Sequence, residues 1–226
     1  MTDVAELPEL RNVLVVMPEA GDAGWYTDWW NDGDGGTPAW ETFHLREVLP
    51  ILSHDYGAGQ QRVVAGLSMG GLGSLLYAAR HPGMFQAAAS FSGVVHPLAE
   101  GGPEWVMGFV ERYGFDPERL WGDPVEQRSV WEAHDPAYLA KGLRRIPVYL
   151  SSGDGTAGVF DDPGAVNDLE KHLLVENEQT AAALRAAKVD VTTDFYGGGT
   201  HSWPYWERGL HRSLPMLLGE LDVDVP

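Results

Sequence analysis

The 226-residue sequence contains no cysteine. That absence excludes disulfides, thiolate metal sites and cysteine nucleophiles, and it leaves the compartment open. Basic side chains are few: 15 Lys and Arg stand against 33 Asp and Glu, a formal charge of −18. Such a surface repels phosphate backbones, so nucleic acid is not an expected partner, and the charge reads mainly as solubility. No apolar run approaches the ~18 residues that a membrane-spanning helix needs. The opening MTDVAELPEL lacks a basic start followed by an apolar stretch, so it does not read as a signal peptide. Phosphate-loop signatures are missing: there is no G-x-x-x-x-G-K-[ST], and the central glycine-rich stretch does not read G-x-G-x-x-G. Asp32-Gly33-Asp34 is too short for a calcium loop. No metal and no cofactor is expected.

What is present is an alternation of strands and helices. A chain of this length buries roughly 70–75% of its unfolded surface, enough for one domain over residues 1–226. NVLVVMP (Asn12–Pro18) is a β-branched run closed by proline, the pattern of a strand buried on both faces. Arg62–Ser68, Ala87–Gly93, Pro147–Gly153 and Val189–Gly197 read similarly, each ending in serine, glycine or both. Helices are expected over Ala39–Leu49, Met69–Arg80, Pro103–Tyr113, Ala165–Lys188 (as one helix or two) and Tyr205–Leu218. This order predicts an α/β fold with a mostly parallel sheet. Residues 96–145 break the rhythm with many Trp, Pro and Gly, and read as an insertion or lid over the carboxyl ends of the strands.

Gly66-Leu67-Ser68-Met69-Gly70 is a G-x-S-x-G sequence, which alone means little in a glycine-rich chain. Its setting carries the weight. RVVAGL supplies a strand before it and GGLGSLLYAAR a small-residue helix after it, the context of a strained turn that pushes a serine hydroxyl outward. A plain tight turn is the alternative, and it explains the flanking pattern less well.

A serine needs a base to take its proton, and that base needs an acid to hold its tautomer. In this fold the chain order is Ser, acid, His. Of the eight histidines, His44, His54 and His81 precede the elbow or sit with its helix. His96, His134 and His172 leave little room for the strand order that must follow, and His211 lies inside an amphipathic helix. His201, in FYGGGTHSWPYW, follows the last strand on a glycine-rich loop that can carry it over Ser68. His96, after SFSG, is placed to line the pocket rim; Ser202 and Trp203, directly after His201, are placed to touch a substrate. Trp25, Tyr26, Trp29 and Trp30 read either as core or lid packing or as an acyl or sugar platform.

GLSMGG, VYLSSGDGT, GGGTHSWPYW, GWYTDWW and AWETFHLREVLP resemble one esterase family of α/β-hydrolases. It contains the secreted mycolyltransferases of antigen 85 type, esterase D and feruloyl esterases. The resemblance covers nearly the whole chain from Asn12, and THSWPYW and WETF are specific to the mycolyltransferase-like branch. It implies the α/β-hydrolase fold, Ser68 as nucleophile, His201 as general base and the Met69 amide as one oxyanion donor. It also points to Glu170 as the acid, because that branch uses a glutamate at the start of a helix. Asp154, directly after VYLSSG, is the alternative acid, since many α/β-hydrolases place theirs there. Asp161, Asp162 and Asp168 are nearby rivals, and any of these acids would also suit a helix N-terminus.

One departure from the family stands out. There, strands and a glycine-containing loop precede the NVLVVMP strand, and that loop gives the second oxyanion donor. Here only MTDVAELPELR precedes it, so the chain is expected to be an amino-terminally shortened version lacking those strands. Pro18–Gly24 is the stretch expected to supply a local second donor otherwise. The expected activity is cleavage of a small-molecule acyl ester through an acyl-serine, with water or a sugar hydroxyl as acceptor. The alternative is a non-catalytic hydrolase-fold relic or binding protein.

Overall fold

The computed structural model describes residues 3–221. The outermost positions of the expected 1–226 domain, residues 1–2 and 222–226, lie outside the described residues. Four short strands, β1 (Val63–Leu67), β2 (Ala87–Phe91), β3 (Val148–Ser152) and β4 (Val191–Phe195), pair in parallel in the order β1-β2-β3-β4. Each falls within an expected stretch, with at most two residues missing at either end.

Side-chain alternation explains the two covered faces. On one face Val64, Ala88, Val148 and Leu150 meet Leu75 and Ala78 of α3 (Ser68–Arg80), and Ala181 and Leu184 of α7 (Asp168–Ala186). On the other, Ala87, Ala89, Phe91 and Tyr149 meet Trp206 and Leu217 of α8 (Trp203–Gly219). Helix α7 is a single unbroken element, capped by the Asn167 side chain, which accepts the Glu170 N–H.

The expected helix over Ala39–Leu49 is longer and mixed. It runs through α1 (Trp40–Thr42), π-type turns over Phe43–Val48 and α2 (Leu49–Asp55). Pro50 lacks an N–H and crowds the carbonyl four residues back, and the wider turns, with the Leu49 N–H on the His44 carbonyl, accommodate it. Residues 96–145 hold α4 (Gly102–Arg112), α5 (Glu118–Trp121) and α6 (Arg128–Glu132), and no strand among the described residues. Their Val106, Val110, Leu120, Trp121 and Trp131 form a second core with Trp25, Trp29, Leu72 and Leu76. Trp25 and Trp29 are therefore core packing, at 1% and 3% exposure.

One expected strand does not form. Residues 12–18 run without ladder pairing, and Leu14, Val15, Val16 and Met17 are 48%, 42%, 41% and 77% exposed. A strand requires a neighbour for its N–H and C=O groups, and β1 pairs only with β2. For the same reason β1, expected to be buried on both faces, is an edge strand of half-buried residues with Ala65 exposed. β4 forms the opposite edge, whereas β2 and β3 are buried throughout.

Candidate active site

Three strand ends build the site. At the end of β1, Ser68 adopts φ +50, a strained conformation for a residue with a side chain. The turn closes so tightly that a Cβ on Gly66 would sit 2.0 Å from the Gly70 carbonyl oxygen. One on Gly71 would fall 2.7 Å from the Gly93 Cα. These glycines let α3 start directly at Ser68 and pack against the end of β2. The Met69 amide then lies in the first turn of α3, where N–H groups have no partner within the helix and the dipole favours negative charge.

Beyond β4, the loop holding Gly197, Gly198 and Gly199 interlocks with the loop after β3. The Asp154 N–H donates to the Gly197 carbonyl, Gly155 N–H to Gly199, and Gly199 N–H to Thr156, at 2.8, 3.0 and 2.7 Å. A Cβ on Gly153 would meet the Gly199 oxygen at 2.4 Å, so the approach requires glycine. This interlock carries His201 to Ser68, with Nε2 2.9 Å from the serine Oγ. Nδ1 of the same ring lies 2.8 Å from Glu170 Oε2. With Nδ1 donating to the carboxylate, Nε2 is left to accept the serine proton.

Glu170 is fully buried. Its Oε1 accepts from the Ser92 hydroxyl (2.7 Å), the Ser152 hydroxyl (2.9 Å) and the Gly153 N–H (2.7 Å), leaving Oε2 for His201. Burial, then the Glu170 charge, pushes the nearby Tyr196 phenol well up, which keeps it neutral. Nothing local in the sequence singles out Ser92, just after β2, or Ser152, the last residue of β3, as partners of Glu170.

The rival acids have other work. Asp154 accepts from the Thr156 N–H and hydroxyl, bonds that hold its carboxyl below the usual range, and His201 is not among its partners. Asp161 takes the Thr200 hydroxyl, the Tyr205 phenol and the Gly158 N–H, tying the β3 loop to the His201 loop. Asp162 and Asp168 are exposed.

His96 turns Nδ1 to the buried Asp135 (2.7 Å), and its N–H donates to Glu176 (3.0 Å), so it is anchored to the 96–145 segment and α7. Ser202 is the N-cap residue of α8, its hydroxyl 3.3 Å from that of Thr200. Trp203 is 47% exposed and meets Trp206 edge-on at 5.2 Å, while Trp206 meets the His201 ring at 4.9 Å. The Tyr26 phenol donates to the Pro18 carbonyl, and a Cβ on Gly73 would lie 2.6 Å from its side chain. The stretch around Pro18–Gly24 is thereby held beside the elbow helix.

Two excluded histidines are structural. His44 bridges the Tyr77 phenol and the Glu19 carbonyl, and His134 stacks on Trp121. Outside the site, Asp3, Glu207 and His211 bring candidate metal-ligand atoms within 4.8 Å of one another. The serine, histidine and glutamate draw on none of them.

Over residues 2–217 the sequence matches the family described as Putative esterase. The chain belongs to that family. It is 31% identical to the diacylglycerol acyltransferase/mycolyltransferase Ag85A of Mycobacterium ulcerans, over 91% of this chain and 63% of the relative. Against Ag85B of Mycobacterium avium the identity is 28%, over 92% of this chain and 65% of the relative. The chain thus spans a little under two thirds of the length of these relatives. Among solved structures, Mycobacterium tuberculosis MPT51 superposes with a TM-score of 0.72 at 25% identity, covering 87% of this chain and 73% of that one. The S-formylglutathione hydrolase of Agrobacterium tumefaciens shares the fold, with a TM-score of 0.59 at 19% identity over 89% of this chain and 68% of that one. The fold is that of the α/β-hydrolases.

Proposed function

We propose that this chain is a serine esterase or acyltransferase acting through an acyl-Ser68 intermediate. The observation that carries the reading is the relay from Ser68 Oγ to His201 Nε2 (2.9 Å) and from His201 Nδ1 to Glu170 (2.8 Å). As Ser68 attacks the ester carbonyl, His201 takes its proton, and the Met69 amide donates to the oxyanion. His201 then returns the proton to the departing alcohol oxygen, leaving the acyl group on Ser68. Water, or a sugar hydroxyl in an acyltransferase, attacks next with His201 again as base. The names of the mycolyltransferase relatives support transfer as the second half-reaction; hydrolysis requires only water. The 96–145 segment is the lid in this reading, since Met69 packs into the same cluster as its Leu98 and Trp105.

The test is labelling by a fluorophosphonate probe together with turnover of p-nitrophenyl esters. Ser68→Ala should abolish labelling and lower kcat by about 10⁶. Labelling that survives the change would place the nucleophile elsewhere, and an unlabelled, inactive wild-type chain would favour a binding protein on a hydrolase fold.

A further inference from the structure

We propose that Trp206 is a positioning residue for His201, its indole favouring the imidazolium that forms when Ser68 gives up its proton. The inference rests on the esterase reading above. The two rings meet with centroids 4.9 Å apart and planes at 81°. Both nitrogens of His201 are committed, Nδ1 to Glu170 and Nε2 to Ser68, so the indole is a third and separate influence on the ring.

A neutral imidazole gains little from an aromatic neighbour. A cation over the face of an aromatic ring, within about 6 Å of its centroid, is attracted by the ring quadrupole, and more strongly where water is excluded. The His201 side chain is only 11% exposed. The interaction therefore grows as the proton moves from Ser68 Oγ to His201 Nε2, and it fades when that proton passes to the alcohol. Stabilisation of this kind, stronger in the transition state than before it, raises kcat rather than lowering KM.

A second observation argues against simple space filling. The Trp206 Nε1–H is buried without a hydrogen-bond partner. Burying an unpaired donor is a cost that an aliphatic side chain such as leucine would not carry. The indole is also held in place, by Phe91, Tyr149 and Leu217 in one cluster and by Trp203 at 5.2 Å.

The experiment measures kcat and KM on p-nitrophenyl butyrate for the wild type, Trp206→Phe and Trp206→Leu, with melting temperatures alongside. Leucine should lower kcat roughly 5- to 30-fold with KM within about twofold, and phenylalanine, which keeps an aromatic face, should retain most of kcat. Trp206→Met replaces the leucine variant, with the same expectation, if leucine fails to fold. Equal kcat losses in the phenylalanine and leucine variants, or a loss confined to KM, would overturn the role of the tryptophan alone. A folded wild type without turnover would overturn the esterase reading and this inference together.

Discussion

The Ser92 hydroxyl donates to Glu170 Oε1 at 2.7 Å, joining residues 78 positions apart. Ser92 makes this bond from φ +46, a left-handed conformation that disfavours any side chain. Its N–H on the Ser151 carbonyl (2.7 Å) helps to hold it there. A hydrogen bond to a charged group contributes about 1.5–3 kcal/mol. Ser92→Ala should lose that bond while keeping the strain, and Ser92→Gly should lose it but relieve the strain. We expect alanine to be the less stable variant by about 1 kcal/mol in urea unfolding. Both should turn over esters roughly 10-fold more slowly, because Glu170 is freer to turn from His201. Equal stabilities would remove the strain argument.

The second prediction separates the acids. Glu170→Gln should lower kcat by roughly 10⁴, since the amide holds the wrong tautomer of His201. Asp154→Asn should leave kcat within about threefold, because Asp154 serves its own turn through Thr156. The opposite ranking, read from ester turnover, would return the acid role to Asp154.

Much of this site was readable because its parts are local in sequence. The elbow is five residues with a strand before and a helix after, and His201 sits on a glycine loop that follows a strand. Only the family resemblance points to Glu170, because a glutamate in the first turn of a helix has a sufficient local explanation. Ser92 and Ser152 were invisible as partners: their meeting at Glu170 depends on which strands are neighbours. The stretch 12–18 shows the limit most clearly. Its composition specifies a buried strand, yet strand formation belongs to a pair, and β1 pairs only with β2.

Stability should fall in acid partly through His134. Burial first, then the Arg80 charge, holds its imidazole down at about 4, against 6.5 for an ordinary histidine. Its contribution is present above pH 6.5 and is lost as pH falls towards 4, because the unfolded chain takes up a proton that the folded one refuses. The whole window amounts to roughly 3 kcal/mol. His172 has the opposite sign: Glu176 raises it, so its contribution is lost only as pH rises past 6.5, outside this window. Urea unfolding from pH 7 to 4.5 should show the loss, and His134→Phe, which keeps a ring against Trp121, should flatten it. An unchanged slope in that variant would assign the acid sensitivity to the carboxylates.

The last prediction concerns the open edge of the sheet. β1 pairs on one side only, and Val15 and Met17, in a stretch outside the sheet, are 42% and 77% exposed. Edges with free N–H and C=O groups beside apolar side chains recruit further strands from other chains. Opposing this is the charge of −18, whose repulsion acts over a Debye length of about 10 Å at 0.1 M salt and about 3 Å at 1 M. Raising the salt should therefore shift the balance towards association, the reverse of what an ion-paired interface would do. Static light scattering should show molecular weight rising with both protein and salt concentration. Val15→Lys with Met17→Lys should suppress the rise, since lysines in an exposed apolar stretch deter its addition to another sheet. The same variant should still label at Ser68, whose turn is fixed by Gly66 and Gly70. A wild type that stays monomeric at high salt would mean that the edge is shielded by its own twist and by the loops beside it.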